Sequence, residues 1–501
     1  MKPSTTVLLA LLAGLPLSGC NLAPAYQQPH FMLPETYQGS DPFQVAQPDA
    51  VFSPGGDWWK LFKDPELDKF EDELTKANPT LQAAMEQYTQ ARDLAAEAQS
   101  QFYPQLAAGG QLSDNRQSVE RLFRGSTTTA NVEASNEVLA SASWEPDFWG
   151  RVRNLAHEKK RLAQASAADL VMARLTLQAE LATDYLAVRG LDKELQVLRQ
   201  AIVAYQKAVE VTSLRYHGGI ASGLDLARAA SQLGAAQALM SDIGLQRDLL
   251  QDAIAVLVGA IPSSFSLPVV EAFHPVPPAL PVGLPSELLQ RRPDIASAER
   301  QMAAANASIG VSRAAFYPHV TLPGTAGFQA NGFNIFNLPN SLWSIGADAM
   351  LPLFEGGLRR AELQQSWSQY AQTRDNYRAT VLAAFQEVED GLSLTQRLKS
   401  EVAQEHEASD QAAQALSIST TLYDAGLDNY LSVAVAQVQA LTARTSEVQV
   451  QIRQMQAAVL LIRALGGGWN VQSLPNERQT LPFGPSDYHV QNDTDAGLQA
   501  H

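Results

Sequence analysis

Phe102-Tyr103-Pro104-Gln105-Leu106-Ala107-Ala108-Gly109-Gly110-Gln111-Leu112-Ser113 has a counterpart 214 positions on, Phe316-Tyr317-Pro318-His319-Val320-Thr321-Leu322. At each place a helix-like stretch stops on Phe-Tyr-Pro and the apolar residues begin to alternate. Leu106, Ala108, Gly110 and Leu112 alternate with Gln105, Gly109, Gln111 and Ser113; Val320, Leu322, Ala326, Phe328 and Ala330 alternate with His319, Thr321, Thr325 and Gln329. The same period returns further on. Val138, Ala140, Ala142 and Trp144 oppose Ser141, Ser143 and Glu145, and Trp343, Ile345, Ala347, Ala349 and Leu351 oppose Ser344, Gly346 and Asp348. Strands are expected at about 104–114, 136–146, 318–331 and 342–353. Each is close to the length of a tilted membrane-crossing strand, and Trp144 and Trp343 suit an aromatic girdle. Soluble hairpins with one wet face would read the same way.

The match extends outward. Pro79 and Pro293 open the helical stretches that end on Phe-Tyr-Pro; Pro146, Phe148 and Gly150 recur as Pro352, Phe354 and Gly356; Tyr216, Gly219, Leu224, Gln232 and Gly259 recur as Tyr423, Gly426, Leu431, Gln439 and Gly466. A period of about 200 residues is a duplicated domain rather than a solenoid unit. The units are 78–260 and 292–468, separated by a proline-rich strap at 261–291 that reads as extended from Ile261 to Pro285, preceded by a segment at 20–77 and followed by a tail at 469–501.

Each unit also holds a long helical hairpin. From Gly150 to His217 there is no proline and only Gly190 interrupts the helix formers, enough for roughly 100 Å of helix at 1.5 Å per residue. A glycine-rich turn at 216–224 leads into a returning helix; the second unit repeats this with a turn at 423–431. The apolar positions are mostly alanine, and Asp184 breaks the leucine register of Leu170, Leu177, Leu191 and Leu198. Two narrow seams with a polar strip between them suit the wall of a helical tube better than a two-stranded coiled coil.

Lys2, the apolar run Val7 to Leu17 and Leu17-Ser18-Gly19-Cys20 read as a lipoprotein export signal over 1–19, with Cys20, the only cysteine, as the lipidated residue. Asn21, rather than aspartate, favours the outer membrane. Without Lys2 the balance is 35 basic to 52 acidic residues, a net of −17, which argues against nucleic acid. No later apolar run reaches 18 residues, so any crossing of a bilayer must be made by a closed sheet. Four strands leave two bare edges, and closure then requires other copies: two would give a plugged eight-stranded tube, three a twelve-stranded one with room for a lumen. Metal-site, nucleotide-loop and nucleophile motifs are lacking, so neither a cofactor nor enzymatic activity is expected.

Together the lipobox, the duplication and the two hairpins resemble the outer membrane factor family of TolC-like channels, in its lipoprotein branch. The most specific stretches are Trp58-Trp59-Lys60-Leu61-Phe62, Trp144-Glu145-Pro146-Asp147-Phe148-Trp149-Gly150-Arg151-Val152, Gln290-Arg291-Arg292-Pro293-Asp294-Ile295, Leu351-Pro352-Leu353-Phe354-Glu355-Gly356-Gly357 and Gly466-Gly467-Gly468-Trp469. The resemblance implies a homotrimer with a twelve-stranded barrel in the outer membrane and a helical tunnel across the periplasm. It also implies docking onto a periplasmic adaptor joined to an inner-membrane pump of RND type, and passive export of small toxic compounds. Tyr216, Gly219, Asp225, Tyr423, Asp424, Gly426 and Asp428 would then lie at the periplasmic tip, as gate and docking residues. Where the family often carries an aspartate in Leu-Asp-Ala-Gln, this chain has Val435, so an iris narrowed by Val435 and Tyr423 is expected. Two other readings stay open from sequence: a non-conducting helical stalk, and a periplasmic adaptor, which the doubled hairpin disfavours.

Overall fold

The computed structural model describes residues 21–29, 31, 37, 56–116, 132–270, 273, 276–278 and 285–484. The expected signal at 1–19 and Cys20 lie outside them. Helix α1 spans Pro65–Ala77, α2 Pro79–Ser100, and strands β1 and β2 Gln105–Arg116 and Val132–Trp144. The first hairpin is α3, Arg151–His217, and α4, Gly223–Leu257. The second unit repeats the order: α5 Pro285–Arg291, α6 Pro293–Ala314, β3 His319–Ala330, β4 Ser341–Ile345, β5 Asp348–Met350, α7 Leu358–Asp424 and α8 Tyr430–Ala464. Corresponding helices have equal lengths: 67 residues for α3 and α7, 35 for α4 and α8, 22 for α2 and α6.

The long helices run the full height, and the shorter ones stack in pairs beside them. Next to the sheet the packing order is α2–α3–α6–α7; toward the hairpin turns it is α4–α3–α8–α7. Four helices therefore stand abreast at either level. The stacking is fastened at mid-height by matching devices. Asn78, the N-cap of α2, accepts from Leu81 N and donates 2.7 Å to the carbonyl of Leu257, the last residue of α4. Arg292, before α6, donates 2.9 Å to the carbonyl of Ala464, the last residue of α8, and pairs with Asp294 and Glu387. Gly259 and Gly466 follow the two C-termini at φ +76° and +87°, where a Cβ would lie 2.5 Å from Ala77 O and 1.9 Å from Arg291 O. Glycine is needed there for both the backbone angle and the space.

Most of the large apolar core sits at this height. One cluster joins Trp58, Leu67, Phe70 and Leu74 to Tyr185, Ile254 and Met455; the other joins Leu288, Ile295 and Met302 to Tyr377, Val388 and Leu461. Polar pairing fixes the periphery to it. Arg189 of α3 is fully buried, stacks on Tyr185, and reaches Glu66, Asp192 and the carbonyl of Pro268; Arg247 of α4 reaches Asp192 at 2.6 Å and the carbonyl of Leu267. Two guanidinium and two carboxylate charges balance, as buried ions require. The start of the strap is thereby held, and the extended run expected from Ile261 to Pro285 is interrupted near the start of the strap. Pro262–Ser264 is a 3-10 turn and its last seven residues are α5, opened by Pro285 and supported by the Glu287–Arg291 pair at 2.8 Å. The tail after Trp469 also packs: Gln164 of α3 donates to Pro475 O, and Glu477 meets Arg161 and His157.

In the sheet, antiparallel strands run in the order β1–β2–β3–β4, with β5 also on β3. The expected strand at 342–353 is cut in two. The register is continuous, Gly324 facing Ile345 and Thr321 facing Asp348, but Pro323 between them has no N–H to give. Among the described residues β1 and β4/β5 form the two unpaired edges.

Candidate functional site

The register divides the sheet into two faces. One carries Leu106, Ala108 and Gly110; Val138, Ala140, Ala142 and Trp144; Leu322, Gly324, Ala326 and Phe328; Trp343 and Ile345. The other carries Gln105, Gln111 and Ser113; Glu137, Ser141 and Ser143; His319, Thr321, Thr325 and Gln329; Ser344 and Asp348. The alternation read from sequence thus lines up across the strands, with one side apolar and the other mostly polar but also holding Leu139 and Leu342 against Gly327, and Met350 opposite His319. The girdle pair does not line up. Trp144 is opposite Leu322 at the helical end, its indole donating 3.0 Å to Phe102 O, whereas Trp343 is opposite Ala326, four residues along β3. At about 3.3 Å per residue that is about 13 Å, so Trp343 sits mid-sheet rather than in a ring with Trp144.

The junction of sheet and helices explains the Phe-Tyr-Pro and Trp-Glu-Pro-Asp-Phe-Trp-Gly stretches. Trp149 stacks on Tyr317 at 4.7 Å and donates to Pro318 O, joining the first unit to the second. Glu145 takes a forked pair of bonds from Arg151 at 2.8 and 2.6 Å. Asp147 accepts from Val152 N and Arg153 N, capping α3 where Gly150, at φ +74°, cannot.

At the opposite end both turns close in the same way. Gly219 N donates to Tyr216 O and Ile220 N to Arg215 O; Gly426 N donates to Tyr423 O and Leu427 N to Leu422 O. This is the paired bonding of a Schellman cap, with Gly219 and Gly426 at φ +75° and +72°. Ile220 and Leu427, each the residue after that glycine, are 81% and 77% exposed, so both tips end on a bare apolar side chain. The tips differ in what holds them. Arg215 lies over the Tyr423 ring at 4.2 Å and donates to its carbonyl at 3.3 Å, tying the first hairpin to the second. Tyr423 also meets Tyr430 edge-on at 5.7 Å, with Ala229 and Val433 beside them. Burial, and after it the neighbouring Tyr423, Tyr205 and Asp225, pushes the Tyr430 phenol up to about 12. Just above the contact a groove of about 690 Å³ opens between α3, α7 and α8, lined by Tyr205, Lys207, Asp410 and Arg444 among others.

Of the acids expected here, Asp225 is engaged in a capping box with Ser222, and its carboxylate lies 3.9 Å from Arg228. Asp428 accepts from Asn429 N, and Asp424, the last residue of α7, is exposed. Val435 is 49% exposed and is not among the side chains of the Tyr423–Tyr430 cluster that buries Val433 within the chain. Sequence reasoning placed Arg215 in the first tip turn without a role of its own and did not name Tyr430; the signal available was that Arg215 stands where the second unit has Leu422.

The pattern of the outer membrane efflux protein family matches residues 72–260 and 284–467, covering both units. The chain belongs to this family. Among its relatives, the pyoverdine export outer membrane protein OpmQ of Pseudomonas putida is 32% identical over 429 residues, 83% of this chain and 89% of that one. The toluene efflux pump outer membrane protein TtgI of Pseudomonas putida is 30% identical over 480 residues, 92% and 98% of the two chains. Among solved structures, the outer-membrane channel OprN superposes with a TM-score of 0.82 at 25% identity, covering 90% of this chain and all of that one. As an outer membrane efflux protein, the chain is an outer-membrane component of an efflux pump, working with an adaptor and an inner-membrane pump. In a membrane barrel an apolar outer side is suited to lipid and a more polar inner side to the passage.

Proposed function

We propose that three copies of this chain form the outer-membrane duct of a tripartite efflux pump. Small toxic compounds delivered by an RND-type inner-membrane pump through a periplasmic adaptor would leave the cell through it. The observation that carries this is the agreement of three orders. The sheet, the upper helices and the lower helices are laid side by side in the same sense, and all three end unpaired at the same two flanks. One flank has β1, α2 and α4; the other has β4/β5 and α7. Bare apolar side chains mark both: Leu245, Leu249 and Val256 on α4, Leu382 and Ile418 on α7. A chain with unlike, complementary flanks closes head-to-tail into a ring, and twelve strands are enough to leave a lumen.

The two tips carry Tyr216, Gly219 and Ile220, and Tyr423, Gly426 and Leu427. They are the surface we assign to adaptor docking, with Asp225, Asp424, Asp428 and Val435 near the entrance. Lipidation of Cys20 fits the path of the segment after it. Leu22 O accepts from Arg313 near the sheet end of α6, and the segment then descends past Glu299 and Tyr377. An acyl chain on Cys20 would therefore start close to membrane level.

The relatives are named for cargoes as unlike as pyoverdine and toluene, so cargo choice is assigned to the pump and not to the duct wall. Purified protein in planar bilayers should give stable unitary currents, and Val435→Asp should deepen block by multivalent cations. Intact trimers that pass no current at any voltage would overturn the proposal in favour of a stalk.

A further inference from the structure

The β3–β4 connection, at the end of the sheet away from the helices, carries an unusual load. Phe333, Phe336 and Leu338 are 88%, 70% and 82% exposed, in a stretch where Asn331, Asn334, Asn337 and Asn340 recur at every third position. The loop is braced by hydrogen bonds. Asn340 N donates to Asn337 O and its side chain to Asn334 O, while Ser341 Oγ donates to Leu338 O. Three large apolar groups held out by a bonded frame call for something to cover them.

Two contacts show which way the loop leans. Phe336 packs edge-on against Phe328 at 5.6 Å, and the Asn136 side chain donates to Gly332 O at 3.2 Å. Phe328 and Asn136 both lie on the lipid-facing side of the sheet, continuous with Val138 and Ala330. Asn136 belongs to β2, so the loop is drawn toward the middle of its own chain and away from the β4 edge that the next copy would meet. Its height also fits. From Val320 to Ala330 there are about ten steps of about 3.3 Å, which at a tilt of about 40° make a band about 25 Å tall, the height of the apolar belt of such barrels. The loop begins where that band stops.

We infer that Phe333, Phe336 and Leu338 form an anchor seated in the outer leaflet, at the boundary between lipid headgroups and acyl chains. The asparagine carbonyls and amides face the headgroups, and the rings enter the chains below. The anchor opposes vertical slippage of the barrel when the tips are pulled by their partners.

The inference rests on the lipid-facing assignment of the apolar sheet face, and the test separates the two. Trifluoromethyl-phenylalanine is placed singly at Phe333, at Ile345 in mid-band, and at Leu427 on a tip, in the full chain reconstituted into liposomes. Fluorine relaxation is then read with nitroxide-bearing lipids and, separately, with a water-soluble nitroxide. The Phe333 and Ile345 probes should be relaxed several-fold faster by lipid nitroxide than by the soluble one, with the reverse at Leu427. A Phe333 probe that behaves like the Leu427 probe places the loop in water and overturns the anchor. Shielding of the Phe333 probe from both reagents places it between copies and overturns it equally. If the Ile345 probe escapes the lipid nitroxide as well, the membrane assignment itself fails.

Discussion

Glu71 of α1 is fully buried, and among the described residues neither of its carboxylate oxygens has a hydrogen-bond partner. Burial first, then the charges of Asp68 and Asp72, raise its pKa well above the usual carboxylate range. A carboxyl with a raised folded pKa contributes stability that is complete below the unfolded value, about 4.3, and is lost as pH climbs through the folded value. Thermal midpoints in detergent should therefore fall from mildly acidic toward neutral pH, and Glu71→Gln should flatten that fall; an identical slope in both proteins would exclude Glu71 as its source. At the tip the phenol of Tyr423 has no hydrogen-bond partner among the described residues, while its ring carries Arg215. Tyr423→Phe should leave single-channel conductance unchanged, whereas Arg215→Ala should raise it by loosening one hairpin from the other. Such pairings were hidden from the sequence because Arg215 and Tyr423 stand 208 positions apart. The tip glycines were legible, since a positive φ after a long helix restricts residue type locally.

The hairpin helices were legible to within a residue or two because glycines, Ser222 and Asn429 bound them, and α2 and α6 because they run from Pro79 and Pro293 toward Phe-Tyr-Pro; α1 and α5 were not read. The strap and the last strand were less legible. Seven prolines suggested an extended run, yet Pro285 sits where a helix tolerates it, and Pro323 breaks pairing on a strand other than its own. Trp343 was misplaced for a similar reason: ring height depends on register between strands, which alternation within one strand does not supply. Where elements meet, the glycines make sharp predictions. Gly466→Ala puts a Cβ against Arg291 O at a positive φ and should abolish recovery of folded protein. Gly190→Val on α3 meets Ile452 of α8 at 2.6 Å, a side-chain contact that can partly yield, and should cost about 1–3 kcal/mol by thermal unfolding.

At the scale of the molecule, every level of the chain ends in surfaces that need another copy. Leu249→Asp on α4 buries an unpaired charge only if that face meets a neighbour. Native mass measurements in detergent should then show loss of the three-chain species, with helical content retained; a trimer of normal stability would place the interface elsewhere. The unpaired strands at the two flanks have a genetic consequence. A ring that needs three sound seams fails if one seam is spoiled, and a chain defective in β1 would still be recruited through its intact β4. Co-expressed with normal chains, such an allele should be dominant-negative, lowering export well below the normal chains' share of the mixture.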